Sequence, residues 1–79
     1  MDTRIAAISI IVTDPESVER LNSILHDYRS YIIGRMGIPY KEKNISVISI
    51  AMDAPVNEIN ALTGKLGRLN GIHVKAACV

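Results

Sequence analysis

Apolar residues along this chain follow two different spacings, and the alternation between them predicts six elements. Segments 4–12 and 45–52 are apolar on both alternating faces, which is typical of central strands buried on both sides of a sheet. Segment 31–40 is strand-like but interrupted by glycine and proline, as in an edge or bulged strand. Segment 72–79 alternates and is the last predicted strand. With a helix after each apolar strand, the order is strand, helix, strand, strand, helix, strand.

Apolar stripes at helical spacing predict the two helices. The stripes comprise Val18, Leu21, Ile24, Leu25 and Tyr28 in the first helix, and Ile59, Leu62, Leu66 and Leu69 in the second. Asp14 can cap the first helix, and Pro15 suits its first position. Asp53-Ala54-Pro55 is expected to open the second helix, and Asn70-Gly71 to end it.

The two halves of the chain resemble each other. Ile8-Ser9-Ile10 recurs as Ile48-Ser49-Ile50, and Pro15 recurs as Pro55, so each half is a strand, a proline-containing turn and a helix. We therefore predict one domain over residues 1–79, of the α+β class. Right-handed crossovers of this pattern give a ferredoxin-like βαββαβ fold, with antiparallel strand order 4-1-3-2 and both helices on one face.

This topology leaves one face of the sheet without a covering element. The central strands carry apolar residues on that face as well, and an exposed apolar patch is typical of an interface. The sequence therefore predicts a homo-oligomer, either a dimer or a tetramer with closed symmetry.

Charge and cysteine content exclude several classes of protein. Nine basic and eight acidic residues give a net charge of +1 without a basic stripe, so we expect no direct nucleic-acid binding by this chain alone. A single cysteine, Cys78, fits a reducing compartment and argues against a zinc finger or an iron–sulfur site. The N-terminal apolar run lacks the features of a signal peptide, and no segment approaches the roughly 20 apolar residues of a membrane span. We expect a cytoplasmic protein without membrane contact.

Candidate chemistry is sparse. His26, His73 and Cys78 come from three different elements, whereas structural zinc requires about four ligands. No catalytic motif is present, and segment 64–68 lies in a predicted helix without the preceding strand of a phosphate loop. The sequence therefore predicts no catalytic residue, no metal site and no cofactor, and we expect that the protein is not an enzyme.

The segment 31–40 has more unusual residues than an edge strand requires. It contains Gly34, Arg35, Met36, Gly37 and Tyr40. One interpretation is that the glycines permit a bulge and that the arginine is solvated or ion-paired. The other is that the backbone approaches a second subunit or a ligand closely, because glycine leaves room and permits positive φ. The sequence leaves both open.

Several segments together resemble a known family. They are Leu25–Tyr28, Tyr31–Tyr40, Asp53–Pro55, Gly64–Leu69, Gly71 and Val74-Lys75. The resemblance covers essentially the whole chain, is most specific over Ile32–Tyr40, and is to small bacterial proteins labelled iron-only ([FeFe]) hydrogenase system regulators. It implies an ACT-like ferredoxin fold and a link to the assembly or regulation of that hydrogenase. These proteins carry no DNA-binding segment.

The resemblance also implies where a ligand would lie. ACT-like domains hold ligands between subunits near the loop after the first strand, here Thr13 and Asp14, facing Gly34 to Gly37 of a neighbour. The predicted ligand or subunit interface comprises Thr13, Asp14, Gly34, Arg35, Met36, Gly37 and Tyr40. The fold is also similar to the tetrameric domain of nickel-responsive repressors, but the corresponding strand here has no histidine, so nickel sensing is not implied.

Three functional hypotheses follow from the sequence. The first is a non-enzymatic regulatory module that acts as a homo-oligomer. It would bind a small molecule at the subunit interface or a protein of the hydrogenase system. The second is a maturation or chaperone-like accessory factor for the hydrogenase metallocluster, for which Cys78 is the only plausible reactive centre. The third is a purely structural oligomer without a ligand.

Overall fold

The computed structural model describes residues 2–79 and contains four strands and two α-helices. They are β1 (Arg4–Val12), α1 (Val18–Asp27), β2 (Ile32–Tyr40), β3 (Ile45–Ala54), α2 (Val56–Gly67) and β4 (Ile72–Cys78). Short 3-10 turns occupy Pro15–Ser17, Arg29–Tyr31 and Lys41–Lys43. The predicted order of strands and helices is confirmed.

The predicted cap Asp14 and first-position Pro15 are confirmed, but the bounds of both helices differ from the prediction. Asp14 caps the 3-10 turn Pro15–Ser17 through its carboxylate, and α1 begins only at Val18. Asp53 and Ala54 belong to β3, where they pair with Ile5 and Arg4, so Pro55 alone separates β3 from α2. The apolar run predicted that β3 ends at Met52, but pairing with β1 extends the strand to Ala54.

The sheet has the order β2-β3-β1-β4, and every neighbouring pair is antiparallel. This is the predicted order 4-1-3-2 counted from the other edge. Ile8 of β1 lies between Ile50 of β3 and Ala76 of β4, which fixes the register across the centre of the sheet. The two strands with the most continuous apolar sequence are therefore the two central strands.

One hydrophobic core lies between the sheet and the helices. Its largest fully buried side chains are Ile8, Ile10, Leu21, Ile50, Met52, Ile59, Leu62 and Leu66. Alternate residues of β1 and β3 share this core with residues of both helices, so both helices cover the same face of the sheet. Burying each leucine or isoleucine here stabilises the domain by about 1.5–3 kcal/mol relative to exposure.

The central strands are buried on one face only within the chain. Residues of β1 alternate between exposed and buried, and Ile5 and Ile11 remain 48% and 42% exposed. The expectation that β1 and β3 are buried on both faces is therefore wrong for the single chain. The apolar residues that suggested it lie on the face that no helix covers.

Candidate functional site

We call the helix-free side of the sheet the open face. It is formed by Ile5, Ala7, Ser9 and Ile11 of β1, Val47, Ser49, Ala51 and Asp53 of β3, Gly34, Met36 and Ile38 of β2, and His73, Lys75 and Ala77 of β4. Strand register arranges these residues in rows that run across all four strands. The chemistry of the face follows from the composition of each row.

Three complete rows cross the open face. They are Ile38–Val47–Ile11–His73, then Met36–Ser49–Ser9–Lys75, then Gly34–Ala51–Ala7–Ala77. The first row is mostly apolar and bulky, the second is polar at its centre, and the third contains only glycine and alanine. We call the row Ile38–Val47–Ile11–His73 the ridge and the row Met36–Ser49–Ser9–Lys75 the polar band. The row Gly34–Ala51–Ala7–Ala77 is the flat strip.

Large apolar side chains on the open face are exposed to solvent. Met36 is 59% exposed, Ile38 52%, Ile5 48% and Ile11 42%. The charged residues on the face are Asp53, which pairs with Ile5 at the start of β1, and Lys75, on the edge strand β4. Exposed apolar side chains with few charges among them are typical of a site of protein–protein contact.

The flat strip borders a shallow cavity of 310 Å³ on the open face. Its lining includes Ala7, Gly34, Met36, Ser49 and Ala51. Small residues leave room above the backbone, so a partner side chain or a small molecule can approach the sheet closely at this point.

Residues of the predicted interface in β2 divide between the two faces of the sheet. Gly34 and Met36 lie on the open face, and Tyr40 pairs with Ile45 at the end of the strand. The Tyr40 hydroxyl donates a hydrogen bond to the Glu42 carboxylate at 2.9 Å. These three residues are accessible to a partner on the open face or at its end.

Arg35 and Gly37 lie on the helix side of β2. Their partners in β3 are the buried residues Ile50 and Ile48. The Arg35 guanidinium donates from Nη2 to the Asn22 side-chain oxygen at 2.7 Å, which ties β2 to α1. A partner on the open face would therefore meet the backbone of Arg35 and not its guanidinium.

The glycines of β2 are explained in part by a bulge. The register between β2 and β3 shifts between Ile32 and Gly34, as the first interpretation of this segment predicted. Neither Gly34 nor Gly37 has positive φ, so that reason for glycine is wrong. A Cβ added at either position would meet no atom within 4 Å. Within the chain, both positions have space for a side chain.

Thr13 and Asp14 lie in a hydrogen-bonded corner between β1 and the α2–β4 turn. The Thr13 backbone N–H donates to the Gly71 carbonyl at 2.7 Å. One Asp14 carboxylate oxygen accepts from the Glu16 N–H at 3.0 Å, and the other accepts from the Asn70 side-chain amide at 2.7 Å. Both carboxylate oxygens of Asp14 are therefore engaged inside the chain, which gives this residue a structural role.

The chain does not bring this corner next to Gly34. Gly34 pairs with Ala51, whose partner in β1 is Ala7, five positions before Val12. At about 3.4 Å per residue, the row of Gly34 lies roughly 17 Å along the strands from Val12. Across the sheet, β2 and β1 are separated by two inter-strand spacings of about 4.8 Å each. Thr13 and Gly34 could share a site only if a second chain brought them together.

Comparison with known proteins places the chain in a family. Residues 4–76 match the model of the TM1266-like family, whose description is "Iron-only hydrogenase system regulator, putative". The chain belongs to the TM1266-like family. The resemblance predicted from the sequence is therefore confirmed.

Two solved structures are similar to this TM1266-like chain. Uncharacterized protein TM1266 from Thermotoga maritima is 29% identical with a TM-score of 0.95, and 99% of each chain is covered. A formyltetrahydrofolate deformylase from Pseudomonas putida KT2440 is 14% identical with a TM-score of 0.59; the match covers 96% of this chain and 28% of the deformylase. At that identity the second similarity concerns the fold alone. No curated protein matches the chain.

Metal-ligating and reactive side chains are dispersed in the TM1266-like chain. Within residues 2–79, no group of three or more His, Cys, Asp and Glu side chains could hold a metal ion. His26 is in the last turn of α1, His73 is on the open face, and Cys78 is exposed at the end of β4. None of the helices described over residues 2–79 has the length and apolar character needed to cross a membrane.

Proposed function

We propose that this TM1266-like chain is a non-enzymatic regulatory module of the iron-only hydrogenase system that assembles as a homo-oligomer through its open face. The family description supports the assignment to that system. The exposed apolar rows of the open face support assembly, and this observation carries the proposal.

We infer that the fold is a ferredoxin-like βαββαβ domain of the ACT-like type. The strand order β2-β3-β1-β4 with both helices against one face supports this inference. So does the similarity to a part of the formyltetrahydrofolate deformylase structure. Domains of this type present one uncovered sheet face, which is the face that we propose as the assembly surface.

The size of the open face is compatible with a stable interface. Four strands about 4.8 Å apart and nine residues of about 3.4 Å give roughly 600 Å² in projection. Protruding side chains such as Met36 and Ile38 make the accessible area larger than the projection. Specific interfaces bury about 800 Å² per partner. A second copy seated on this face would therefore bury an area close to that of ordinary dimers.

A ligand between two copies would lie over the flat strip Gly34–Ala51–Ala7–Ala77. The 310 Å³ cavity beside this strip is open in the single chain, and a facing copy would enclose it. The members of the predicted ligand site that would contact such a molecule are Gly34, Met36 and the backbone of Arg35. Thr13 and Asp14 would contribute only through a neighbouring copy, because within one chain they lie roughly 17 Å from Gly34 along the sheet.

The accessory-factor hypothesis has less support. It requires Cys78 as the reactive centre, and this exposed thiol has no cluster of metal-ligating side chains beside it within residues 2–79. No residue of the open face forms a recognised catalytic arrangement with its neighbours. Binding and regulation therefore remain the better-supported function.

The assembly proposal is tested with two variants at positions of similar exposure. Ile11→Glu places a charge in the bulky apolar row of the open face, whereas Val56→Glu places the same charge on α2, where the residue is 45% exposed. In native mass spectrometry and light scattering, we expect the parent and Val56→Glu to be oligomeric and Ile11→Glu to shift to the 8.7 kDa monomer. A parent that stays monomeric at micromolar concentration would refute assembly. Native masses also report any molecule retained between subunits.

The regulatory role is tested separately in a bacterium that produces an iron-only hydrogenase and this protein. Deleting the gene should change the level of active hydrogenase, and the parent sequence and Val56→Glu should both restore it. Ile11→Glu should not restore it, because the proposed active form is the oligomer. If deletion leaves hydrogenase transcripts, protein and activity unchanged, the regulatory assignment is wrong, whatever the oligomeric state.

A further inference from the structure

A groove between the two helices carries a concentration of positive charge. Its lining consists of Ser17, Arg20 and Ile24 from the α1 side and Lys65, Arg68, Leu69 and Asn70 from the α2 side, around a cavity of 560 Å³. We call it the helix groove. It lies on the helix side of the sheet, opposite the open face, so it remains accessible when a second copy covers the open face.

The charge of the helix groove differs in sign from that of the rest of the chain. Three of the nine basic residues line the groove, and none of the eight acidic residues does. The remaining six basic and eight acidic residues give a net charge of −2. A chain with almost no net charge thus presents a groove of charge +3. Asp27 and Glu58 do not line the groove, but their negative charges attract the Lys65 ammonium and help to raise its pKa.

Each side of the helix groove carries a cation and an apolar side chain. Arg20 and Ile24 are four residues apart on α1, so they lie on the same side of that helix. Lys65 is in the last turn of α2, and Leu69 follows the end of that helix at Gly67. Ile24 and Leu69 are half-buried and pack on the core, whereas the three cationic residues are exposed. The groove therefore has an apolar floor between charged rims.

Two arginines near the helices but outside the groove donate side-chain hydrogen bonds within the chain. Arg35 donates to Asn22, and Arg29 donates to the His26 carbonyl at 2.9 Å. Neither Arg20 nor Arg68 donates a side-chain hydrogen bond to another group in residues 2–79, whereas Lys65 interacts with the Tyr28 side chain. The guanidinium donors of Arg20 and Arg68 therefore remain available to a partner.

Lys65 is held in place without losing its charge. Its ammonium nitrogen lies 5.0 Å from the centroid of the Tyr28 ring, a cation–π contact between α2 and the end of α1. The Tyr28 side chain raises the pKa of Lys65 above its ordinary value of 10.5, so the ammonium is charged at neutral pH. Lys65 thus presents a fixed positive charge at the groove.

The one hydroxyl among the lining residues is already engaged. The Ser17 hydroxyl donates to the Asn70 carbonyl at 2.6 Å, and the Asn70 side-chain amide donates to Asp14. A site for a small phosphate compound normally adds backbone or hydroxyl donors to its cations, and the Ser17 hydroxyl does not serve as such a donor here. The available features are charges at separate points and an apolar floor, which suit a longer ligand.

We infer that the helix groove docks an acidic, amphipathic segment of a partner protein. Carboxylates of that segment would pair with Arg20, Lys65 and Arg68, and aliphatic side chains would rest on Ile24 and Leu69. This is recognition of an amphipathic helix in a groove, with charge complementarity setting its orientation. The inference does not depend on assembly through the open face.

Nucleic acid fits the groove less well than an acidic peptide. Three cations beside an aliphatic floor provide few phosphate contacts, and no aromatic ring among the lining residues could stack on a base. A duplex or a polyphosphate would leave the floor uncovered. The two ligand classes therefore differ in whether apolar contacts contribute to binding.

The probe is a fluorescein-labelled helical peptide with glutamates on one side and leucines four residues apart. Binding is followed by fluorescence anisotropy with the full chain at low ionic strength. We expect saturable binding that weakens as salt rises, because exposed charges are screened over about 10 Å at 0.1 M. Arg20→Glu/Arg68→Glu should weaken binding at least tenfold. The matched control Arg4→Glu/Lys43→Glu, equal in charge change but outside the groove, should bind like the parent.

Three results would overturn the inference. Equal loss of binding in both double variants would mean that net charge, and not the groove, attracts the peptide. Equal binding of a peptide with serines in place of leucines would show that the apolar floor contributes nothing. Tighter binding of tripolyphosphate or a short DNA duplex than of the peptide would assign the groove to another ligand. Circular dichroism of every variant verifies the fold, and light scattering separates these results from any failure of assembly.

Discussion

The corner between β1 and the α2–β4 turn provides the sharpest test of the fold, through Gly71→Ala. Gly71 has a φ of +70°, which an alanine adopts only at a cost of about 1–2 kcal/mol. A Cβ at this position would also overlap the Cβ of Asp14 and lie 2.7 Å from the Asp14 backbone nitrogen. Relief requires a backbone shift that strains the 2.7 Å hydrogen bond from Thr13 to Gly71.

The expected loss is a large fraction of the total stability. Overpacking of this kind costs about 1–3 kcal/mol, so the two effects together predict a loss of about 2–5 kcal/mol. A domain of this length has a free energy of unfolding of roughly 4–12 kcal/mol. With an m-value of about 1 kcal/mol per molar urea, the denaturation midpoint should fall by roughly 2 M or more.

Gly64→Ala is the matched control for this experiment. Gly64 is exposed inside α2, and a Cβ added there meets no atom within 4 Å. Alanine should therefore stabilise α2 by about 0.5–1 kcal/mol. Urea unfolding followed by circular dichroism, at two protein concentrations to account for assembly, compares the variants. A Gly71→Ala midpoint equal to that of the parent would mean that the corner is not packed as described.

Two further predictions concern the core and strand β2. Leu62 is completely buried, so Leu62→Ala should cost about 2–5 kcal/mol, whereas exposed Lys65→Ala should leave the urea midpoint near that of the parent. Similar urea midpoints for the two variants would mean that Leu62 and Lys65 do not lie on the buried and exposed sides of α2. Gly37→Val should preserve cooperative unfolding, because no atom of the chain opposes the side chain, and should leave light scattering unchanged, because Gly37 lies on the helix side of β2. A shift toward smaller species would mean that assembly uses the helix side of β2 and not the open face.

Much of the fold is determined by local sequence pattern. The apolar runs 4–12 and 45–52 identified the central strands, and the stripe containing Leu62 and Leu66 identified the buried side of α2. Periodicity carries this information because the hydrophobic effect selects which side of each element faces the core. The strand order then followed from the order of elements and the handedness of crossovers. The uncovered apolar face followed from the same argument.

The sites depend on contacts between distant parts of the chain, which no local pattern specifies. Asp14 was predicted to cap a helix and to lie at a ligand site, but its second oxygen accepts from Asn70, far away in sequence. Pairing with β1 drew Asp53 into β3, and packing turned the Arg35 guanidinium toward Asn22. These outcomes depend on which groups satisfy one another's hydrogen bonds after folding.

The helix groove was likewise decided by tertiary structure alone. Arg20 lies in the first half of the chain, and Lys65 and Arg68 lie near its end, so the sequence showed only scattered cations and a net charge of +1. Packing of α1 beside α2 brings the three together around Ile24 and Leu69. The sequence determined the elements and their buried sides because those follow from neighbours along the chain. The structure determined the surfaces that can bind a partner, because they combine side chains that only the packed helices and sheet place side by side.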